Sequence, residues 1–276
     1  MPAQLIDGQQ IAKDKYIALQ LAIDKLDFQP GIATIVTEDN AASKLYASKR
    51  GEIAKSIGMY SEVHDLGGSS KDEDIIRLIS DLNKDVKIHG IIVQMPLPKN
   101  SDITAILGSL NPKKDADGMH PSNLGNLFLG TPLIIPAASK AILELINSTG
   151  ISLPGTKVTV IGNGLASGKP TAILLQNKGA VVTVCNSKTK NLKSHTLDAD
   201  IVIASVGKAK ILTEDMIKEG AIIIDAGINI IDGKLVGDID FKGVSKKAAY
   251  ITQVPGGLGP VTSASLLENV IFLATH

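Results

Sequence analysis

At 276 residues, with 44% apolar and only 3% aromatic side chains and no tryptophan, the chain can fill two cores of ordinary size and offers no aromatic platform for single-stranded nucleic acid. Its 28 basic and 28 acidic residues leave no long-range positive field to attract nucleic acid or anionic lipid, so any anion must be held by a local site. The lone Cys185 excludes an intramolecular disulfide, the apolar runs fall far short of the ~20 residues that span a bilayer, and Met1-Pro2-Ala3-Gln4-Leu5-Ile6-Asp7 has no basic region followed by an apolar stretch. The expectation is a cytoplasmic protein with no nucleic-acid and no membrane partner.

In the first half, Ala12, Tyr16, Leu19, Ile23 and Leu26 recur at helical spacing after Asp7-Gly8, and Phe28-Gln29-Pro30-Gly31 stops them before a strand at 32–36. Asn40 or Ser43 opens a second helix through Leu45, Ala54 and Ile57 to Gly58, followed by a short strand at 60–64. A third helix carries Ile75, Ile76, Ile79 and Leu82, and the next strand spans 88–93. Strands separated by helices predict crossover units and a largely parallel sheet. Gln94-Met95-Pro96-Leu97-Pro98 then forms an extended loop at a strand's carboxyl end, where ligands collect in open α/β sheets.

Glycine, proline and asparagine become frequent over 111–136, which marks the domain junction, and a helix at 139–146 follows. Strands beginning near Lys157, Ala180, Ile201, Ala221 and Ala249 predict a doubly wound, Rossmann-type nucleotide-binding domain. A last helix at 262–274 follows Pro255-Gly256-Gly257-Leu258-Gly259-Pro260.

Three groups of residues carry chemistry. Gly162-Asn163-Gly164 with Gly168 follows a strand and opens a helix, so its backbone can turn tightly and approach a pyrophosphate, although the spacing is one residue longer than the usual dinucleotide pattern. The next strand ends in Cys185-Asn186-Ser187-Lys188-Thr189-Lys190 rather than in an acidic residue. Hydroxyls and lysines there favour a phosphate, which makes NADP the expected nucleotide with NAD still open; a merely solvated loop is the competing reading. On the second helix, Tyr46 has Lys49 and Arg50 on its own face.

These pieces, in this order, resemble the methylenetetrahydrofolate dehydrogenase/cyclohydrolase family over essentially the whole chain. The matching residues are Tyr46 with its basic pair, Val93-Gln94-Met95-Pro96-Leu97-Pro98, Pro112-Lys113-Lys114-Asp115-Ala116-Asp117-Gly118, Cys185-Asn186-Ser187-Lys188-Thr189, Asp225-Ala226-Gly227-Ile228-Asn229, and Pro255-Gly256-Gly257-Leu258-Gly259-Pro260-Val261-Thr262. The resemblance implies a two-domain α/β enzyme: a folate-cleft domain at 1–119, joined by the C-terminal helix at 261–276, and a nucleotide-binding domain at 120–260. It implies that Asp117 hydrogen-bonds the pterin, that Tyr46 stacks on the substrate's aromatic linker, that Gln94 orients a catalytic lysine, and that Pro255, Gly256 and Gly257 belong to a loop closing the folate cleft. Gly162, Asn163, Gly164, Ser187, Lys188 and Ile228 are placed at the nucleotide. Tetrahydrofolate derivatives are the implied partners, a homodimer the implied assembly, and no metal is implied.

Two departures bear on function. Asn163 and Asn186 stand where the family often has an arginine and a histidine, and asparagine cannot replace a guanidinium fork on a 2′-phosphate. The family's catalytic lysine lies four residues after the tyrosine, where this chain has Arg50; Lys49 is only three after. Arginine polarises but does not act as a base, whereas a desolvated lysine can. Three readings stay open: a dehydrogenase whose cyclohydrolase step survives or fails, a dehydrogenase acting on another small substrate, and a non-catalytic folate-binding homologue.

Overall fold

The computed structural model describes residues 2–39 and 41–276. Asn40, one of the two residues expected to open the second helix, lies outside the described residues, and that helix spans Ala41–Ser56. The chain forms two compact units, one from residues up to Ala12 together with Ala138–Thr262, the other from Lys13–Ala137 together with Ser263–His276.

The nucleotide-type unit contains a six-stranded, wholly parallel sheet in the order Gln4–Ile6, Tyr250–Thr252, Ile222–Asp225, Ile201–Ala204, Lys157–Ile161, Val181–Cys185. Both Ile201–Ala204 and Ile222–Asp225 are buried at every position, as parallel strands covered on both faces must be. Alternate side chains of these strands serve different cores. Val158, Val160, Ile201 and Ile203 pack with Ile142, Leu145 and Leu175, while Ile161, Val202 and Ile223 pack with Leu212, Ile217 and Val244. From Lys157–Ile161 the chain goes first to Val181–Cys185 on one side and then to Ile201–Ala204 on the other. The strand order therefore reverses beside Gly162, where doubly wound sheets bind ligands.

The other unit is built on a three-stranded parallel sheet, Tyr60–Asp65, Gly31–Val36, Gly90–Val93. Leu19, Ile23, Ile32, Ala54, Ile57 and Ile92 meet Leu266, Leu267, Val270 and Ile271 of the last helix, Leu258–Thr275, in its core. By length and composition alone that helix would suit a bilayer, but these four side chains belong to the core of this unit. Its buried Asn269 donates from Nδ2 to the carbonyls of Ala116 at 2.9 Å and Ile135 at 3.1 Å, tying the helix to the segment that carries Asp115 and Asp117.

These boundaries differ from the expected ones. The N-terminal residues belong to the nucleotide-type unit because Gln4, Leu5 and Ile6 pair with Tyr250, Ile251 and Thr252, in a strand too short to show a period in sequence. The junction falls at 137/138 rather than 119/120 because the intervening segment packs back: Asn123 Nδ2 donates to Pro112 O and Asp115 Oδ2, and Ile135 O accepts from Asn269. The last helix begins at Leu258, ahead of the expected 262. An unexpected antiparallel hairpin pairs Asn229–Ile231 with Lys234–Val236 through Asp232 and Gly233, both at positive φ.

Because one buried and one part-buried carbonyl accept from this single amide, Asn269→Ala is expected to cost about 1 to 3 kcal/mol of stability, read as a lower urea midpoint at unchanged m-value. An unchanged midpoint would show that Asn269 does not hold the Asp117 segment.

Candidate functional site

The second helix turns a narrow stripe inward: Ser43, Ala47, Arg50 and Ala54 are all buried, at the spacing of one helix face. Arg50 therefore enters an otherwise small and apolar surface, with 6% of its area exposed, while Lys49, one residue and about 100° away, is exposed. Tyr46 lies one turn before Arg50 and stays 37% exposed.

A buried guanidinium needs acceptors. Arg50 Nη2 donates to Gln94 Oε1 at 2.8 Å, and Gln94 is fixed at its strand end by its own amide, which donates to Ile35 O, and by Nε2, which donates to Met95 O at 3.2 Å. Among the described residues the buried Arg50 Nε has no hydrogen-bond partner, which leaves a donor for a bound group. Burial lowers the Arg50 guanidinium to about 10, opposed by the charges of Asp117 and Tyr16, so it stays cationic at neutral pH. Burial also pushes the Tyr16 phenol up to about 12, with Arg50 pulling the other way.

Asp117 faces this cation from the loop that follows the helix Ile103–Gly108. The residue keeps some accessible area, but burial of its carboxyl, and then the charge of Asp115, push it up to about 7 against the pull of Arg50 and of the Ala137 amide. Asp115, by contrast, is a brace: its Oδ2 accepts the His120 amide at 2.7 Å and Asn123 Nδ2 at 2.8 Å. The structure thus brings Arg50, Gln94 and Asp117 together and leaves Lys49 outside. Such a cluster presents a fixed cation beside a carboxyl that titrates near neutrality.

In the nucleotide-type unit, the glycine turn follows Lys157–Ile161 and opens the helix Gly168–Asn177. A Cβ on Gly162 would stand 2.1 Å from Ser205 O, and one on Gly168 2.3 Å from Gly162 O, so neither position admits a side chain. Around Gly164, by contrast, a Cβ meets nothing within 4 Å, and Asn163 is exposed. The Gly162 amide donates to Cys185 O at 2.9 Å, which sets this turn beside the loop bearing Ser187 and Lys188, both exposed. That loop is closed by the Asn186 amide donating to Thr189 Oγ1 and the Lys188 amide donating to Asn186 Oδ1, each at 2.9 Å. Ser167 Oγ, at the helix start, is buried and without a hydrogen-bond partner among the described residues. Open space, amides at a helix N-terminus, an unmatched hydroxyl and a nearby lysine fit a nucleotide phosphate.

Ile228 is 61% exposed, next to the Asn229–Ile231 strand. Pro255 is exposed, whereas Gly256 and Gly257 are buried; a Cβ on Gly8 would stand 1.9 Å from Gly257 O, so these glycines also seat the start of the helix Gly8–Ile23. Among the described residues no cluster of His, Cys, Asp or Glu could hold a metal. Sequence reasoning missed Asp238, which is fully buried and accepts four donors; only its place after Gly237, opposite Asp225-Ala226-Gly227, hinted at it.

Comparison with known proteins matches both units. Residues 6–117 match the family model described as tetrahydrofolate dehydrogenase/cyclohydrolase, catalytic domain, and residues 136–276 match its NAD(P)-binding domain. The bifunctional protein FolD of Bacillus pumilus is 42% identical over 275 residues, covering 98% of this chain and 97% of that protein. The crystal structure of the bifunctional FolD dehydrogenase/cyclohydrolase from Campylobacter jejuni superposes with a TM-score of 0.93 at 38% identity, covering 99% of each chain. That of the Trypanosoma brucei enzyme, complexed with NADP and an inhibitor, gives 0.96 at 34% identity, covering 100% of this chain and 98% of the other.

A carboxyl raised from 3.8 to about 7 binds its proton more tightly in the folded protein than in the unfolded chain. Its contribution to stability is then complete below the unfolded value and lost as pH rises through the folded one. The difference in stability between the free protein and Asp117→Asn should accordingly move against the wild type between about pH 4 and 7 and level off above. Urea titrations across that range check this, and a difference independent of pH would contradict the assignment.

Proposed function

Because the chain belongs to the tetrahydrofolate dehydrogenase/cyclohydrolase family, we propose that Asp117, Arg50 and Gln94 form the folate-facing centre of an enzyme of one-carbon metabolism. The enzyme oxidises 5,10-methylenetetrahydrofolate to 5,10-methenyltetrahydrofolate with NADP and hydrolyses the product to 10-formyltetrahydrofolate. The observation that carries the assignment of roles is the buried Arg50 to Gln94 hydrogen bond opposite Asp117. A dehydrogenase acting on an unrelated substrate is set aside by the family match over both units.

Asp117 binds the pterin in its ionised form, since only the carboxylate accepts with both oxygens from the ring's paired donors. With its carboxyl near 7 in the free protein, binding of the ligand draws a proton off it. Tyr46 supplies a partly open ring for stacking on the substrate. When bound, the nicotinamide supplies the hydride acceptor. The chain's own part in that step is positioning: Gly162, Gly164, Ser187 and Lys188 hold the phosphates, and Ile228 offers apolar surface.

Hydrolysis asks more of the side chains, because a proton must leave the attacking water. Arg50 polarises that water but does not take its proton. Lys49 is exposed and off the inward stripe, so it offers no substitute. The second step is therefore the slow one. The reading extends to a cytoplasmic homodimer, supported by the resemblance and by the edge strand Val181–Cys185, whose Val181 and Val184 are 58% and 41% exposed.

Two experiments follow. In an assay with methylenetetrahydrofolate and NADP, methenyl product should accumulate; Arg50→Lys should speed its decay by ~10² or more, and Lys49→Ala should change nothing. Decay that is fast in the wild type and lost in Lys49→Ala would overturn the role given to Arg50, and absence of any turnover would favour a non-catalytic folate binder. For the nucleotide, Asn163→Arg should lower the Kd for NADP by about tenfold, the worth of one charge-assisted contact, with little change for NAD. Equal changes for both would remove position 163 from the 2′-phosphate.

A further inference from the structure

The loop after Ile201–Ala204 is gripped by a single carboxylate. Asp238 is fully buried; its Oδ2 accepts the amides of Val206 at 2.6 Å and Gly207 at 3.0 Å, and its Oδ1 accepts the Lys208 amide at 2.8 Å and Asn229 Nδ2 at 2.9 Å. Consecutive amides converging on one point form a nest of the kind that otherwise captures a phosphate or carboxylate ligand. Here the anion is part of the chain.

Asp238 is itself held. Its amide and those of Gly227 and Ile239 donate to the carboxylate of Asp225, at 2.9, 2.9 and 3.1 Å, and the Asp225 amide donates to Thr252 Oγ1 at 2.7 Å. The fit is close: a Cβ on Gly227 would stand 2.1 Å from Asp238 Cγ, and one on Gly237 1.9 Å from Asp225 Oδ2. The gripped loop borders the glycine turn directly. Ser205 donates its amide to Ile161 O at 2.7 Å, and its carbonyl and Val206 Cγ1 occupy the space a side chain on Gly162 would need.

We propose that Asp238 is a positioning residue for the nucleotide, a resident anion that fills the amide nest at 206–208, fixes that loop against Gly162, and leaves the glycine turn as the nest open to the nucleotide's phosphates. This inference rests on the reading of the glycine turn as the nucleotide site. Asparagine at this position turns an acceptor into a donor facing amides, so the nest loses its anion while the shape of the side chain is kept.

The test is calorimetric titration of NADP into wild type, Asp238→Asn and Asn229→Ala, with steady-state kinetics and thermal unfolding of each. Asp238→Asn should raise the Kd and KM for NADP by about tenfold or more and leave kcat at saturating NADP and the KM for folate within about twofold. Asn229→Ala removes one of the donors to Asp238, so it should shift NADP affinity the same way by a smaller factor, and it decides the matter if Asp238→Asn does not fold. Unchanged NADP affinity in the folded variants, or losses shared equally by NADP, folate and kcat, would overturn the proposal. A misplaced nucleotide site shows differently: Lys188→Ala would then leave NADP affinity unchanged as well.

Discussion

A guanidinium buried in a helix stripe of small residues is the constraint around which the unit carrying Arg50, Gln94 and Asp117 is arranged. Removing a charge from water is costly unless its donors are met, and Arg50 shares its inward helix stripe with Ser43, Ala47 and Ala54. Gln94 therefore has to reach it from the end of Gly90–Val93, and Asp117 has to face it from the following loop. Each of these demands a scaffold. Gln94 is fixed by the amide bond to Ile35, and the Asp117 loop by Asp115, Asn123 and Asn269. The central strand Gly31–Val36 lies between the helix and the loop in this chain of dependence, with all its residues buried.

The balance of charges decides what this centre does. Arg50 stabilises a carboxylate at Asp117, but burial and the neighbouring Asp115 outweigh it, so the carboxyl lies about midway between its charged and neutral forms near pH 7. A site with one fixed cation and one switchable carboxyl is suited to gripping a neutral ring with paired donors. It is poorly suited to shuttling a proton through the cation. Both properties follow from the same buried arginine, which stays charged while the carboxyl beside it titrates.

Much of this was legible in the sequence, because long apolar strands and helices have strong periods. The Lys157, Ile201 and Ala221 strand starts were expected within a residue of where they lie, and Gln94 at a strand's carboxyl end was expected from its prolines. What escaped had weak or unused signals. The strand Gln4–Ile6 is too short to show alternation, so the sequence alone gives no sign that residues preceding the first helix pair with Tyr250–Thr252. The hairpin's signal is Asp232-Gly233 between Ile230-Ile231 and Lys234-Leu235-Val236, the local sequence that favours such a turn. The spacing from Tyr46 puts Arg50 at the family's lysine position but leaves Lys49 on nearly the same helix face, and only the burial stripe of the helix separates them. Asp238 had only the weak signal of its place after Gly237, since a buried aspartate looks like any loop aspartate until its partners are known.

The most direct test of the central claim is a nuclear magnetic resonance titration of carboxyl-labelled aspartate in the free protein, with Asp117 assigned from the Asp117→Asn spectrum. The account predicts that the Asp117 carboxyl titrates near 7 and moves down when a tetrahydrofolate ligand is added. A carboxyl that titrates at or below the ordinary aspartate range in the free protein would mean that Arg50 outweighs burial, and would contradict the account.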